Sequence, residues 1–462
     1  MKQFTRFFMV ISCLLAIKIN AQEIKTCAQC NMFIKDKLHI AVAKNKGKVL
    51  QFDAIECLVN YLKLKEENSF NSIKVADYNS GNLIDAASAT YLKSEAIPSP
   101  MGANISAFKD KKTAGNVKLK KGGEVFNWTT LKEKFEDSKF GAILHNHSRP
   151  DAHAPIGVMG DHLHTKGNFM ISVRYMSMLM DGNKSGTKNI EDTVIYNTYM
   201  VAPQEMQMNL VMLGAMYAPS NNVTLLLMQN FVKNNMQLTA RMMMNGMPML
   251  RDFSTETSGI GDLKLGALIN IYNNHKSSFH LNSGINIPIG SINYKDDTPM
   301  MNNAKLPYAM QLGSGTFDVT VGGTYKENYE KSSLGLQFLS TIRTGKNSEG
   351  YRFGNLHQLN FWAAYTFTPT TSFSVRLLGT VQDKINGKDS ELNPSMVTTA
   401  NTNNYGGNLI SGFLGLNIAF AKESIFKNVK LGIEAGTPIY EDYNGIQMNQ
   451  NLSVHLGAKY SL

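Results

Sequence analysis

Phe169-Met170-Ile171-Ser172-Val173-Arg174-Tyr175-Met176-Ser177-Met178-Leu179-Met180 alternates two kinds of residue from one position to the next. Phe169, Ile171, Val173, Tyr175 and Leu179 share one parity, and Met170, Ser172, Arg174, Met176, Met178 and Met180 share the other. That is the period of an extended strand, whose successive side chains point to opposite faces. Arg174 decides which face is which. A charged side chain aimed at the middle of a bilayer costs roughly 2–4 kcal/mol, so in a membrane barrel the Arg-bearing parity lines the lumen. The methionines of that parity go with it.

The same texture runs outward to the end of the chain. Strand-like segments fall near 168–180, 206–217, 222–237, 260–273, 277–288, 310–325, 332–344, 355–368, 371–382, 407–421, 427–436 and 451–461. Short links at Ala218–Asn221, Asn274–Lys276, Glu327–Lys331 and Pro369–Thr370 alternate with long polar ones at Asp181–Glu205, Ile289–Ala309, Asp383–Tyr405 and Thr437–Gln450. An even strand number, short turns at one end and long loops at the other describe a transmembrane antiparallel β-barrel of about twelve strands. A secreted array of β-sandwiches is the soluble alternative. No mature segment offers the roughly 20 unbroken apolar residues of a spanning helix.

Composition sets the remaining bounds. The chain has 462 residues, 43% hydrophobic and 18% charged, with formal charge +10. A length prior of about 150 residues per domain suggests three domains, or two if one is a large β-structure. Collagen-like, disulfide-scaffold and disordered classes are excluded. The basic balance reads as a solvated lysine-rich surface, and no nucleic-acid partner is expected.

Lys2 and Arg6 precede an apolar run from Phe7 to Ile17, and Ile19-Asn20-Ala21 ends on a small residue, so 1–21 reads as a cleaved secretory signal. Val10-Ile11-Ser12-Cys13 has the outline of a lipoprotein box, but the apolar run continues past Cys13. The mature chain keeps Cys27, Cys30 and Cys57, an odd number that favours metal or redox chemistry over a closed disulfide set. From 23 to about 140 the sequence reads as a small α+β periplasmic domain, with a helix near Asp53–Glu67 that places Ile55, Leu58, Val59 and Leu62 on one face. A His-rich linker, 141–166, leads to the barrel at 167–462. It carries His145, His147, His153, His162 and His164, five of the ten histidines, beside Met159.

Methionine is the compositional oddity: 17 of the 26 lie between Met159 and Met249. The second strand repeats the split of the first, with Val211, Leu213, Ala215 and Tyr217 against Met206, Met208, Met212 and Met216. The third is less clean, with Thr224, Met228, Asn230, Asn234 and Met236 on the lumen parity. Methionine often fills gaps in apolar cores. Here the same faces carry Arg174, Ser172 and Asn230, so a track for a soft ion is the competing reading, because thioethers select Cu(I) or Ag(I) over hard cations. Met176, Met178, Met206, Met208, Met212 and Met216 are the candidate ligands, and Met242–Met249 is expected to be a methionine-rich outside loop.

Cys27-Ala28-Gln29-Cys30-Asn31-Met32 puts two thiols and a thioether within six residues. A bare CxxC is often a redox pair. The thioether favours a Cu(I) site, since disulfide exchange has no use for a thioether. With Phe52-Asp53-Ala54-Ile55-Glu56-Cys57 and Ser99-Pro100-Met101-Gly102-Ala103, followed by Ala107-Phe108, the stretch from Glu23 to Phe135 resembles the NosL-type copper-binding proteins. The resemblance implies Cys30, Met32 and Met101 as Cu(I) ligands, with Cys27 as a further thiol. Asn31 departs from the glycine usual there. For Cys57 and Asp53 the plainer roles are a buried cysteine packing its helix and a helix N-cap.

The part from about Pro155 resembles outer-membrane barrels of the MetA-pathway phenol-degradation type, through Pro155–His162, Met212–Pro219, Leu306-Pro307-Tyr308 and Gln311–Thr316. It implies fold and place more than cargo. The combined expectation is an outer-membrane protein, not an enzyme, that binds Cu(I) in a periplasmic Cys/Met site and passes it to or from a Met-lined barrel. His145, His147, His153, His162, His164 and Met159 would bridge the two. Partners would be copper, outer-membrane lipid and other copper-handling proteins. The rivals are a channel for small organic solutes with a copper-buffering or sensing domain, and a thiol-redox module using Cys27 and Cys30.

Overall fold

The computed structural model describes residues 27–29, 34, 36–63, 67–136, 149–164, 166–244, 246–273, 277–329, 331–420, 424, 426 and 428–461. The chain divides into two compact units between His145 and Asn146.

In the first unit β1 (Ala41–Asn45) and β2 (Lys48–Phe52) form a hairpin closed by Lys46 and Gly47, both at positive φ (45° and 82°), as a two-residue turn of matching twist requires. Helix α1 (Ile55–Leu62) follows, shorter than the sequence suggests. Ile55, Leu58, Val59 and Leu62 are buried as expected. Strands β3 (Ser72–Ala76) and β4 (Leu83–Asp85) complete an antiparallel sheet in the order β2-β1-β3-β4. A second sheet, β6-β5-β7, is built from β5 (Thr90–Lys93), β6 (Ile105–Phe108) and β7 (Glu124–Phe126). Helix α2 (Lys111–Lys121) starts where Asp110 accepts the Thr113 N–H at 2.7 Å and stops at Gly122, φ 69°. Helix α3 (Trp128–Glu136) closes the unit. One buried cluster joins α1, both sheets and α3.

The second unit is a closed antiparallel β-barrel. Its wall runs through β8 (Phe169–Gly186), β10 (Val201–Ser220), β11 (Val223–Met244), β12 (Met247–Asn273), β13 (Ser277–Ile287), β16 (Asp318–Asn328), β17 (Ser332–Arg343), β19 (Leu356–Thr368), β20 (Thr371–Gln382), β22 (Gly407–Ala419) and β23 (Val429–Ser461). The short β9 (Lys188–Ile190) adds to the edge of β8. Two-residue pairs β14/β15 and β18/β21 lie in the loops, at Lys295–Asp296 with Ala304–Lys305 and at Tyr351–Arg352 with Asn386–Gly387.

Every neighbouring pair of wall strands is antiparallel, and an odd ring cannot close that way. The resolution is β23: Lys430–Tyr443 pairs with β22 while Tyr443–Ser461 pairs with β8, so the chain reverses inside this one element, at Asn444-Gly445 (Gly445 φ 64°). The eleven elements therefore make twelve staves. The expected long loop at Thr437–Gln450 is instead the tip of this hairpin. The expected Met242–Met249 loop is also a hairpin, paired down to Met244 and Met247. In both places strand pairing continues past the membrane-sized segment that alternation marks.

The faces sort as Arg174 requires. Ile171, Val173, Leu213, Leu227, Ile285 and Leu377 are exposed on the outer wall, while Met170, Met216, Thr224, Asn234, Arg376 and Glu434 are buried on the inner one. An apolar outer band of this extent is covered at low cost only by lipid. Tyr217, Tyr272, Tyr325, Tyr365 and Tyr460 stand exposed on it at the short-turn end, where an interfacial aromatic girdle belongs.

The stretch expected to be a linker belongs, over Arg149–His164, to the barrel, where it runs as irregular chain against the inner wall. Such backbone is tolerated at membrane depth only when protein satisfies its polar groups. Arg174 Nη1 donates to Ile156 O (3.0 Å) and Val158 O (3.1 Å), and Gln337 to Met159 O (2.9 Å). His280 and Asn282 both reach Gly160 O at 2.9 Å. Ser333 donates to Asp151 O (3.0 Å), Lys326 to Ala152 O, and His164 N–H to Thr224 Oγ1 (3.0 Å). The segment is a plug whose path the wall specifies.

Candidate functional site

In the first unit, β2 ends at Phe52 and α1 begins at Ile55, so Asp53 sits in the joint and Cys57 one turn along the helix. The backbone of Ala28 donates to Gln51 O at 2.7 Å, which lays the chain carrying Cys27 beside that joint. Cys27, Asp53 and Cys57 are all buried, with one ligand atom of each lying within 4.8 Å of the others. The N-cap of α1 is Ala54, not Asp53 as expected, and no side chain caps the helix. Cys57, expected only to pack its helix, also meets Cys27.

Met101 is 6% exposed and belongs to the same buried cluster as both cysteines. Its loop turns at Gly102 and Asn104, both at positive φ (74° and 58°). Glu56 holds that loop: it accepts from Ser99 Oγ and from Ala103 N–H (3.1 Å). Burial pushes the Glu56 carboxyl up to about 7, with the bonds from Ser99 and Ala103 opposing. Glu56 was not singled out from sequence; its place inside the Asp53–Cys57 motif was the available signal. Two thiols and a thioether in a buried setting suit a soft ion, while the Asp53 carboxylate would neutralise local positive charge. Cys30, Met32, His145 and His147 lie outside the described residues.

In the plug, His153 Nδ1 lies 3.2 Å from His162 Nδ1, and His162 Nδ1 lies 2.9 Å from Asp161 Oδ1. The ring of His164 stacks edge-on to that of His162, centroids 4.8 Å apart. The Nε2 atoms of His162 and His164 are buried without a hydrogen-bond partner, so two ring nitrogens are left to take a ligand. Ala154 N–H donates to Asp161 Oδ2 at 2.8 Å and fixes the carboxylate. The structure thus brings together three of the five histidines singled out from sequence.

The lumen methionines separate into three groups. Met170 and Met216 face each other at the short-turn end and pack with Leu268. Met176, Met178 and Met212, with Met159 of the plug, line a cavity of about 490 Å³ that also presents Arg174, Asn230, Gln337 and Arg376. Toward the long loops, Met180, Met206 and Met236 are direct cross-strand partners on β8, β10 and β11. They belong to a cluster of nine methionines with Met208, Met242, Met300, Met310, Met396 and Met448. Sequence reasoning placed Met180, Met206, Met208 and Met236 on the lumen side and missed Met300, Met310, Met396 and Met448, which stand in loops or in the last hairpin and carry no alternation signal.

Arg376 and Glu434 form a bidentate pair within the inner wall, at 2.8 and 3.0 Å, and Arg376 also donates to Asn360 Oδ1 at 2.9 Å. Glu349, Asp389 and Glu391 cluster among the outer loops, where Lys305 Nζ lies 2.9, 2.6 and 3.6 Å from them and offsets part of their charge.

Comparison with known families finds both resemblances. The NosL family model matches residues 18–135, and the model described as putative MetA-pathway of phenol degradation matches residues 182–406. Among solved structures, an outer membrane channel from Pseudomonas putida F1 is 16% identical, covering 66% of this chain and 99% of its own, with TM-score 0.46. The copper chaperone NosL from Shewanella denitrificans is 21% identical over 24% of this chain and 93% of its own, TM-score 0.21. The monoaromatic hydrocarbon channel CymD is 8% identical over 65% and 89%, TM-score 0.32. No curated protein matches the chain.

Proposed function

We propose that the chain is an outer-membrane protein that binds Cu(I) in its N-terminal unit, held in the periplasm, and passes it to or from the barrel lumen. The meeting of Cys27, Asp53 and Cys57 in a buried cluster that also holds Met101 carries this reading. Cys30 and Met32 belong to the same proposed ligand set by sequence. The match of residues 18–135 to the NosL family points the same way.

The process is ligand exchange, without a catalytic step. Thiolates hold Cu(I) tightly, the plug imidazoles of His153, His162 and His164 with Met159 offer intermediate sites, and neutral thioethers hold it weakly enough to release it. His145 and His147, nearest the first unit in sequence, would extend the imidazole path. Met176, Met178 and Met212 serve the central cavity, Met206 and Met208 the outer end, and Met216 the inner end. Because donor and pore are one chain, the effective concentration of loaded donor stays high however little free copper is present.

Cu(I) competition against a bathocuproine chelator, on the full chain in detergent under reducing conditions, tests the first step. Wild type should retain the ion and Cys27→Ser and Cys57→Ser should lose it; equal retention by all three ends the reading. Ag(I) flux into proteoliposomes tests the second, with Met176→Leu, Met178→Leu and Met212→Leu combined expected to slow it.

A second reading, a channel for small organic solutes with a copper-buffering domain, is favoured by one observation: an apolar chamber of about 220 Å³ among the outer loops. Solute uptake by the same proteoliposomes, with no Ag(I) flux, would select it.

A further inference from the structure

The chamber near the long loops is bounded by β11 and β12 on the wall side and by the loops 288–317 and 383–406 on the other. Its volume is about 220 Å³, and Met236, Met300, Met301 and Met396 all line it. These four come from one strand and two loops that are far apart in sequence, so no single periodic pattern accounts for their convergence. The backbone N–H groups of Met200 and Val201 both donate to Met396 O, at 3.1 and 2.9 Å, and pin the second loop against β10. Met236 then leads back into the lumen, since its cross-strand partner on β10 is Met206, whose partner on β8 is Met180.

Packing alone accounts poorly for this. A loop core closed for stability is better served by leucine, whose rotamers are well defined, than by flexible methionine. Met236, Met300 and Met396 pack within the nine-methionine cluster and at the same time border open space. The charged side chains on the lining are Lys305 and Glu391, and Lys305 is already paired with Asp389 at 2.6 Å and Glu349 at 2.9 Å. Glu391 in turn lies 3.6 Å from Lys305 and 3.4 Å from Lys295, so both charged lining residues are ion-paired, while the methionine part of the wall is uncharged, polarisable and rich in sulfur, a donor set that prefers a univalent soft cation to a hydrated hard one.

We propose that Met236, Met300, Met301 and Met396 form a thioether site for a univalent d10 ion, Cu(I) or its stand-in Ag(I), at the outer end of the barrel. This deepens the copper reading and takes its choice of ion from it. The site would be the last ligand set on the way out, or the first on the way in.

The test uses the full chain in detergent with Cys27→Ser, Cys30→Ser and Cys57→Ser, which removes the thiolate ligands, and Ag(I), which does not change oxidation state under the assay. Ag(I) is expected to bind with sulfur in its shell by X-ray absorption. Affinity should fall at least about tenfold in Met236→Leu/Met300→Leu/Met396→Leu, whose side chains conserve volume. It should stay unchanged in Met243→Leu/Met247→Leu at the exposed hairpin tip. No Ag(I) uptake, or equal uptake by the three-leucine variant and its parent, overturns the site. Toluene binding seen by saturation-transfer NMR without Ag(I) uptake also overturns it, and gives the chamber to apolar solutes. Failure of the chaperone reading shows separately, as wild type holding Cu(I) no better than the cysteine-free chain.

Discussion

The backbone N–H of Gly157 donates to Glu434 Oε2 at 3.0 Å, tying the plug to a wall residue 277 positions away. Glu434 is at the same moment the bidentate partner of Arg376, so the plug is anchored on an ion pair that the wall would keep without it. A Cβ at position 157 would run into both Glu434 and Arg376. Gly157→Val should therefore lift the plug and raise single-channel conductance in planar bilayers several-fold, with the barrel still folded. An unaltered conductance would show that the plug does not limit passage.

Removing the cation of that pair is a different matter. Arg376→Ala leaves Glu434 buried and unpaired, a change that costs about 3–5 kcal/mol where one partner of a buried pair is lost. The urea midpoint of the barrel should drop clearly, whereas Arg376→Ala combined with Glu434→Ala should recover much of the loss. If the double variant is no better than the single, the pair is not the source of the effect.

Membrane embedding makes its own prediction. Leu213→Arg places a charge on the outer band, for a cost of roughly 2–4 kcal/mol if the site is near the bilayer middle. Asn230→Arg, facing the central cavity, should cost far less. Folding yields into lipid vesicles, read by the mobility difference of folded and heated samples, should rank the two in that order.

In the metal-free first unit, Glu56 gives a pH dependence. Its folded value is raised from 4.5 to about 7. Between those values the folded form keeps a proton that the unfolded form has lost, so stability falls as pH rises across the window and levels off above it. The total is on the order of 3 kcal/mol. Urea unfolding followed by Trp128 fluorescence should show this slope in a Trp362→Phe background and lose it in Glu56→Gln, which keeps the acceptor for Ala103. A slope that survives the substitution assigns it to another group.

The plug imidazoles can be probed directly. His162→Ala removes the ring that His153, Asp161 and His164 all approach, and should abolish any Cu(II) electron-paramagnetic signal with nitrogen couplings in the cysteine-free chain. The same signal persisting in the variant would mean that the cluster is a packing arrangement only.

Nearly all of the barrel wall was legible in the sequence, because alternation is local: Phe169–Met180 declares its two faces without help from any other strand. The helix over Ile55–Leu62 was legible for the same reason. What escaped depends on distant partners. Nothing near Gly157 foretells Glu434, and nothing near Met300 foretells Met396. Alternation also dies away at the polar tips of hairpins, which is why Thr437–Gln450 looked like a loop although its backbone stays paired around Asn444-Gly445. Cys57 was undervalued because helix spacing explains its burial equally well; only the return of Cys27 beside β2 makes it half of a thiol pair.

The reversal inside β23 brings the last stave of the barrel back against the first, with Ser461 beside Met170. The cylinder therefore has a seam, between β8 and the second half of β23, and the plug meets both lips of it, through Arg174 on one and Lys459, whose Nζ lies 3.8 Å from Asp161, on the other. Closing the ring and seating the plug are then one cooperative event. A chain that loses its plug contacts loses a clasp as well as a stopper, and should come apart first where the cylinder was joined.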